Sequence, residues 1–115
     1  SMKIILHWLI ITGAVLATPY VIDGISVTSF VTALIVAAIL GFINTIIKPI
    51  LTILTLPLNI LTLGLFSLIL NGLFFWLVAS VITGFNVSGF KAAFLGALVV
   101  SVINWLGSKI LKKDD

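Results

Sequence analysis

Very few residues in this 115-residue chain have side chains that could take part in chemistry. The single histidine, His7, has no second histidine or carboxylate at helical spacing that would complete a metal site. Asp23 stands alone, because the other carboxylates, Asp114 and Asp115, lie far along the chain, and no pair is placed for acid–base catalysis. Serines lack a positioned base, and cysteine is absent. We therefore expect a non-enzyme without metal or cofactor.

The composition indicates which elements hold these few polar groups. The chain is 62% hydrophobic and 8% charged, and its mean hydropathy is +1.43, a value that excludes a soluble globular domain. Six basic residues, all lysine and spread along the chain, form no basic face, so we expect no nucleic-acid partner. Since a spanning helix needs about 20 apolar residues, residues 1–115 are predicted to form one integral all-α membrane domain with about four transmembrane helices.

The charged residues and prolines divide the chain into candidate spans. Uncharged runs of suitable length predict transmembrane helices at about 4–22, 29–47, 63–82 and 91–109. The intervening segment, 49–62, contains Pro49 and Pro57, which disfavour one unbroken helix. We expect this segment to be broken and to lie at the membrane interface or to enter the membrane as a re-entrant piece.

The lysines predict the orientation. If the four spans alternate in direction, most lysines fall on one side of the membrane, and only Lys91 lies on the other side with Asp23; the first group is Lys3, Lys48, Lys109, Lys112 and Lys113. Positive residues are retained on the cytoplasmic side. The sequence therefore predicts a multi-pass protein whose two termini are both cytoplasmic.

Polar residues in the central region recur at helical spacing. They form a stripe with steps of three or four residues: Asn44, Lys48, Thr52, Thr55, Asn59 and Thr62. One interpretation is that this polar stripe faces water at the membrane interface. The alternative is that it lines a polar path between subunits.

The chain also contains an internal repeat. Residues 20–51 match residues 80–111 without a gap at an offset of 60, and the informative identical pairs are Gly24/Gly84, Phe30/Phe90 and Asn44/Asn104. Both copies are predicted to run from outside to inside. We therefore predict two helical hairpins in parallel repeat, related by a pseudo-twofold axis along the membrane normal.

The repeat carries two ladders of small residues, followed by an asparagine in each copy. These helix-packing candidates are Ala33, Ala37, Gly41 and Asn44 in the first copy, and Ala93, Ala97, Ser101 and Asn104 in the second. Small residues let helix backbones approach closely in lipid, and buried amides hydrogen-bond across the contact. We expect the second and fourth spans to pack together through the ladders, or to pack against another copy in a homo-oligomer.

The central region is similar to the four-helix phage holin family of superfamily IV. The similarity lies in Ile47–Leu51, in Thr55–Phe66 and in Asn71, and the loops around Gly24 and Gly84 resemble the two outer loops of that family. The resemblance implies a small bacterial inner-membrane protein. Holins as a class oligomerise in the cytoplasmic membrane and open lesions in it.

The resemblance leaves three functions open. The chain could permeabilise the membrane as an oligomer, as holins do. It could instead be a non-conducting envelope or membrane-stress accessory protein, or a small oligomeric channel or transporter that uses the polar stripe. The bilayer itself is the expected partner, and no small-molecule substrate is indicated.

Overall fold

The computed structural model describes residues 2–62 and 64–113, and for residues 112 and 113 the backbone alone. Leu63, where the third span is predicted to begin, lies outside the described residues, as do Ser1, Asp114 and Asp115. The described chain is mostly helical, as predicted. In chain order its elements are α1 (Met2–Val21), β1 (Ile25–Val27), α2 (Phe30–Phe42), a π-helical segment (Ile43–Ile47), α3 (Lys48–Leu54), α4 (Leu56–Leu61), α5 (Leu65–Val81), β2 (Phe85–Val87) and α6 (Phe90–Lys113).

Within the described ranges, three helical segments are long and apolar enough to cross a membrane. They are Met2–Val21, Phe30–Leu54 and Phe90–Leu111. A fourth apolar helix, Leu65–Val81, has 17 residues and is about 26 Å long at 1.5 Å per residue. It is therefore slightly shorter than the hydrocarbon core of a typical bilayer, which is about 30 Å thick.

The second helical segment is longer than the sequence predicts. The expected end was Ile47, because Pro49 follows, but the helix runs on through the π-helical segment and α3 to Leu54. Pro49 cannot donate to the carbonyl four residues earlier, and its ring would clash with that carbonyl in an α-helix. The wider turn, in which the Lys48 N–H donates to Ile43 O, places the proline near the start of α3 without ending the helix.

Pro19 lies inside α1 without ending it. The proline has no N–H to donate to the carbonyl of Val15. The hydroxyl of Thr18 donates to that carbonyl at 2.7 Å, and Thr18 is fully buried. A side-chain donor thus replaces the missing backbone donor, as buried backbone in an apolar environment requires.

The predicted segment 49–62 is divided between two short helices. The first, α3, is continuous with α2, and the break comes at Thr55, between α3 and α4. A second break follows α4, where Gly64 has a φ of +88° and begins α5. A positive φ is readily adopted only by glycine.

A two-stranded antiparallel ribbon, which the sequence analysis did not predict, joins the two loops opposite the termini. Ile25 pairs with Val87, Ser26 with Asn86, and Val27 with Phe85. Two flanking backbone bonds extend the ribbon: the Thr28 N–H donates to Gly84 O at 2.9 Å, and the Ser88 N–H donates to Gly24 O at 2.8 Å. The two bonds join positions that are equivalent at the 60-residue offset. Because the strands pair, the loops containing them lie at the same end of the bundle.

The helices pack mainly as α1 against α2, α1 against α6, and α5 against α6. The sequence analysis expected the second and fourth spans, α2 and α6, to pack together or against another copy. Within the described residues of the single chain, those two helices make no extensive contact. Glycines explain the difference. A Cβ at Gly107 of α6 would lie 2.8 Å from the Ile10 side chain of α1, and a Cβ at Gly72 of α5 would lie 3.1 Å from the backbone of Phe94. Helix α6 therefore approaches α1 and α5 most closely.

Candidate functional site

The small-residue ladders are used inside the chain for most of their length. Ala33, Ala37 and Ala93 are at most 1% exposed, and Ala97 is also buried. At the end of each ladder the burial decreases, because Gly41 is only partly buried and Ser101 is exposed. The alanines therefore belong to the core of the monomer, whereas Ser101 is on its surface.

Part of the polar stripe forms a hydrogen-bonded cluster at the helix breaks. Asn59 is 8% exposed and joins three elements. Its Nδ2 donates to Thr55 Oγ1 at 3.3 Å, and its Oδ1 accepts from Ser67 Oγ at 2.9 Å. Thr55 in turn donates to Leu51 O at 2.7 Å. This cluster holds α4 against the end of α3 and the start of α5.

Thr62 has a similar role at the second break. Its hydroxyl donates to Leu58 O at 2.9 Å and accepts from the Phe66 N–H at 3.2 Å. The hydroxyl therefore links the end of α4, where Leu58 O also accepts from the Thr62 N–H at 3.0 Å, to the first turn of α5. Lys48 and Thr52 are partly buried on α3. Asn44 does not join the cluster; it is exposed in the π-helical segment.

Asn44 instead lies in a surface cleft that the sequence analysis did not identify. The cleft has a volume of about 680 Å³ and lies between α1, α2 with its π-helical segment, and α6. Most of its lining is apolar, and the polar side chains in it are His7, Asn44, Thr45 and Asn104. Asn44 and Asn104, which are equivalent in the repeat, thus line the same cleft.

The polar groups of the cleft differ in how well they are satisfied. Ser108 Oγ and His7 Nδ1 are 3.4 Å apart and connect α6 to α1. The indole N–H of Trp8 donates to Leu34 O at 2.9 Å. Asn104 Oδ1 is buried and has no hydrogen-bond partner, and a buried polar atom without a partner is costly.

A sequence signal for the cleft was present but was divided among three helices. His7 follows Lys3 by four residues, Asn44 precedes Lys48 by four, and Asn104 precedes Lys109 by five. Each of these polar residues therefore lies about one helical turn from a lysine, on the side nearer the middle of the span. The signal was missed because each pair is unremarkable alone, and only the fold brings the three pairs to one end of the bundle.

The described residues do not bring the groups of a hydrolytic site together in the cleft. Among them, Asp23 is the one carboxylate, and it follows α1 at the ribbon end, away from the Ser108–His7 pair. In the described part of the chain, no group of three or more His, Cys, Asp or Glu residues could hold a metal ion. The pair is best interpreted as a hydrogen bond between helices.

Comparison with known proteins agrees with the helical architecture. Two curated bacterial proteins are similar along most of their length. An uncharacterized protein of Streptomyces coelicolor is 36% identical over 113 residues, which cover 90% of each chain. The uncharacterized membrane protein YvlD of Bacillus subtilis is 37% identical over 89 residues, which cover 76% of this chain and 75% of YvlD. No solved structure is significantly similar.

The family comparison covers almost the whole chain. The model that describes the mycobacterial phage holins with four transmembrane segments, superfamily IV, matches residues 2–106. This range includes the first three apolar helical segments, most of the last one, the ribbon and the residues that line the cleft. The family suggests four transmembrane segments, so the short helix α5 is counted with the three longer ones. The chain is a membrane protein, and it belongs to the family of phage holins with four transmembrane segments, superfamily IV.

Proposed function

We propose that the protein is a holin-like, permeabilising protein of the bacterial cytoplasmic membrane and that it acts as a homo-oligomer. The main observation in favour of several copies is that the interior of a single chain is closed. Among the described residues, the buried side chains are apolar apart from Thr12, Thr18 and Asn59. Water and ions need polar surroundings in a membrane, so a path for them would have to form between copies.

The ribbon supports the same conclusion, because it covers one end of the bundle. Ile25 and Phe85 point inward and are at most 5% exposed. The Phe85 ring packs edge-on against Phe75, with the ring centroids 5.2 Å apart. The exposed side of the ribbon carries Ser26 and Asn86. This apolar packing supports a path between copies rather than one along the axis of the monomer.

We further propose that the ribbon end faces outward and that both termini are cytoplasmic. Lys3, Lys48 and Lys109 are carried by helix ends that lie opposite the ribbon, whereas Lys91 follows β2 at the ribbon end. This distribution is the one that the positive-inside rule favours. Reporter fusions at each terminus test the orientation, because a fusion active outside the cell would contradict it.

Release of trapped solutes from liposomes tests permeabilisation directly. We expect release to rise more steeply than in proportion to the protein-to-lipid ratio, since several copies must meet. Fluorescent dextrans and a small ion-sensitive dye, measured in parallel, distinguish the mechanisms. Release of both supports a holin-like lesion. Passage of ions alone supports a small channel, and no release at any ratio would overturn the proposal.

A second candidate function is that of a non-conducting envelope or membrane-stress accessory protein. The observation that favours it is the hydrogen-bonded state of the polar stripe, because Thr55, Asn59 and Thr62 bond within the chain. A channel that used the stripe would need those groups to face water. In a channel, Lys48→Glu should change ion preference and Asn59→Leu should close the path. In an accessory protein, neither substitution alters permeability.

A further inference from the structure

We infer that the cleft between α1, α2 and α6 binds one molecule of an anionic phospholipid whose headgroup carries hydroxyls, of the phosphatidylglycerol type. This site is independent of whether the protein conducts. It rests on three features, which are the apolar lining of the cleft, the lysines at the same end of the bundle, and the unpartnered amide oxygen of Asn104, a lining residue.

The apolar part of the cleft suits an acyl chain. Ile4, Ile5 and Ile11 line it from α1, and Ala37 and Phe42 line it from α2. Ile4, Ile5 and Phe42 are exposed on the surface of the single chain, so the cleft opens sideways between the helices. In a bilayer such an opening is continuous with the lipid, and one acyl chain can enter without leaving the hydrocarbon region.

The lysines at this end of the bundle supply charge complementarity to a phosphate. Lys3, Lys48 and Lys109 each lie about one helical turn from a polar residue of the cleft. The Lys109 ammonium lies over the Trp105 ring, 4.3 Å from the ring centroid. Basic pockets between helices on the cytoplasmic side recognise anionic headgroups.

The hydrogen-bonding groups select among headgroups. Asn104 Oδ1 is a buried acceptor that lacks a donor. In the tautomer in which His7 Nδ1 accepts from the Ser108 hydroxyl, the other ring nitrogen, Nε2, carries a proton and is a donor. Phosphatidylglycerol supplies a hydroxyl donor, phosphate acceptors and a negative charge. Phosphatidylcholine has no donor, and phosphatidylethanolamine has no net charge, so each meets only part of the requirement.

Trp8 provides a built-in reporter, because it lines the cleft. We would keep it as the only tryptophan, in a protein with Trp76→Phe and Trp105→Phe, and reconstitute this protein with lipids that carry bromine on their acyl chains. Bromine quenches a tryptophan that it contacts. The matched control retains only Trp76, which packs against Phe90 at the other end of the bundle.

At equal mole fractions, brominated phosphatidylglycerol should quench Trp8 more than brominated phosphatidylcholine. The preference should be about fivefold in affinity for each lysine engaged. Trp76 should show no such preference. Equal quenching of Trp8 by the two lipids, or the same preference at Trp76, would overturn the inference and leave nonspecific lipid contact as the explanation.

Substitutions then test which groups bind. Asn104→Ala should reduce the preference about twofold to tenfold, and Lys48→Gln should reduce it about fivefold. Lys91→Gln, at the ribbon end, is the matched control and should change nothing. Gly41→Leu should displace the acyl chain and abolish preferential quenching, and its Cβ fits, since the nearest atom is Ile11 Cδ1 at 3.9 Å. A preference that survives Lys48→Gln and Gly41→Leu would refute the site.

Discussion

Gly96 provides the sharpest test of how α6 is held against α5 and the ribbon. A Cβ added there would lie 2.6 Å from Ile25 Cδ1 and 2.8 Å from Phe75 Cε1. The end of the Ile25 side chain can rotate away. The Phe75 ring cannot move easily, because it is 1% exposed and packs against Phe85. Gly96→Ala should therefore destabilise the fold, by the cost of overpacking a well-packed core, which is about 1 to 3 kcal/mol.

The replacement of a helical glycine by alanine also carries a gain of up to about 1 kcal/mol in helix propensity. Gly13 in α1 isolates this gain, since a Cβ there has no atom within 4 Å. Gly13→Ala should therefore stabilise the protein slightly, and the difference between the two variants measures the overpacking at Gly96. Unfolding in mixed detergent, followed by circular dichroism, gives both values. If Gly96→Ala were stabilised as much as Gly13→Ala, the close approach of α6 would be refuted.

Three further variants, one of them a double substitution, test the ladders, the polar cluster and the ribbon. Ala97→Leu, at a core alanine, should lower stability by about 1 to 3 kcal/mol, whereas the same change at the exposed Ala38 should cost little. Asn59→Leu should cost about 1 to 3 kcal/mol in the same assay, because Ser67 loses its acceptor. Ser26→Cys with Asn86→Cys should form a disulfide within the chain on oxidation, since paired strand positions have suitable Cα separations; a failure to cross-link in folded protein would contradict the ribbon.

The helical segments were predictable because lipid imposes a simple length requirement on apolar runs. The neighbours of each helix were not. Residues such as Val31, Ile35 and Trp76 are exposed on the monomer, so apolar side chains occur all round these helices and do not mark one buried face. The close contacts depend instead on single glycines such as Gly107, and a glycine in a sequence does not reveal which helix it admits.

The ribbon and the π-helical segment were missed for different reasons. Ile25-Ser26-Val27 and Phe85-Asn86-Val87 do alternate apolar and polar residues, as strands with one buried face should. Three residues, however, are too few to distinguish from loop. Pro49 was interpreted as the end of a helix, because a proline in an α-helix loses a bond and clashes. The sequence does not show that one wider turn can accommodate it.

The differences between the two repeats account for the cleft. If the repeats were identical, α5 would pack against α2 as closely as α1 packs against α6, but the contact of α2 with α5 is much less extensive. Gly107, which admits Ile10, corresponds to Ile47 in the first repeat, so the equivalent approach meets a large side chain at the end of the π-helical segment. Pro49 corresponds to Lys109, so only the first repeat needs the π-helical turn that carries Asn44. The symmetric asparagines are therefore placed in unequal surroundings, Asn44 exposed and Asn104 facing the cleft with a buried, unpartnered oxygen. The departure from symmetry, rather than the symmetry, therefore creates a cleft that has both an apolar lining and polar groups, the combination that the proposed lipid requires.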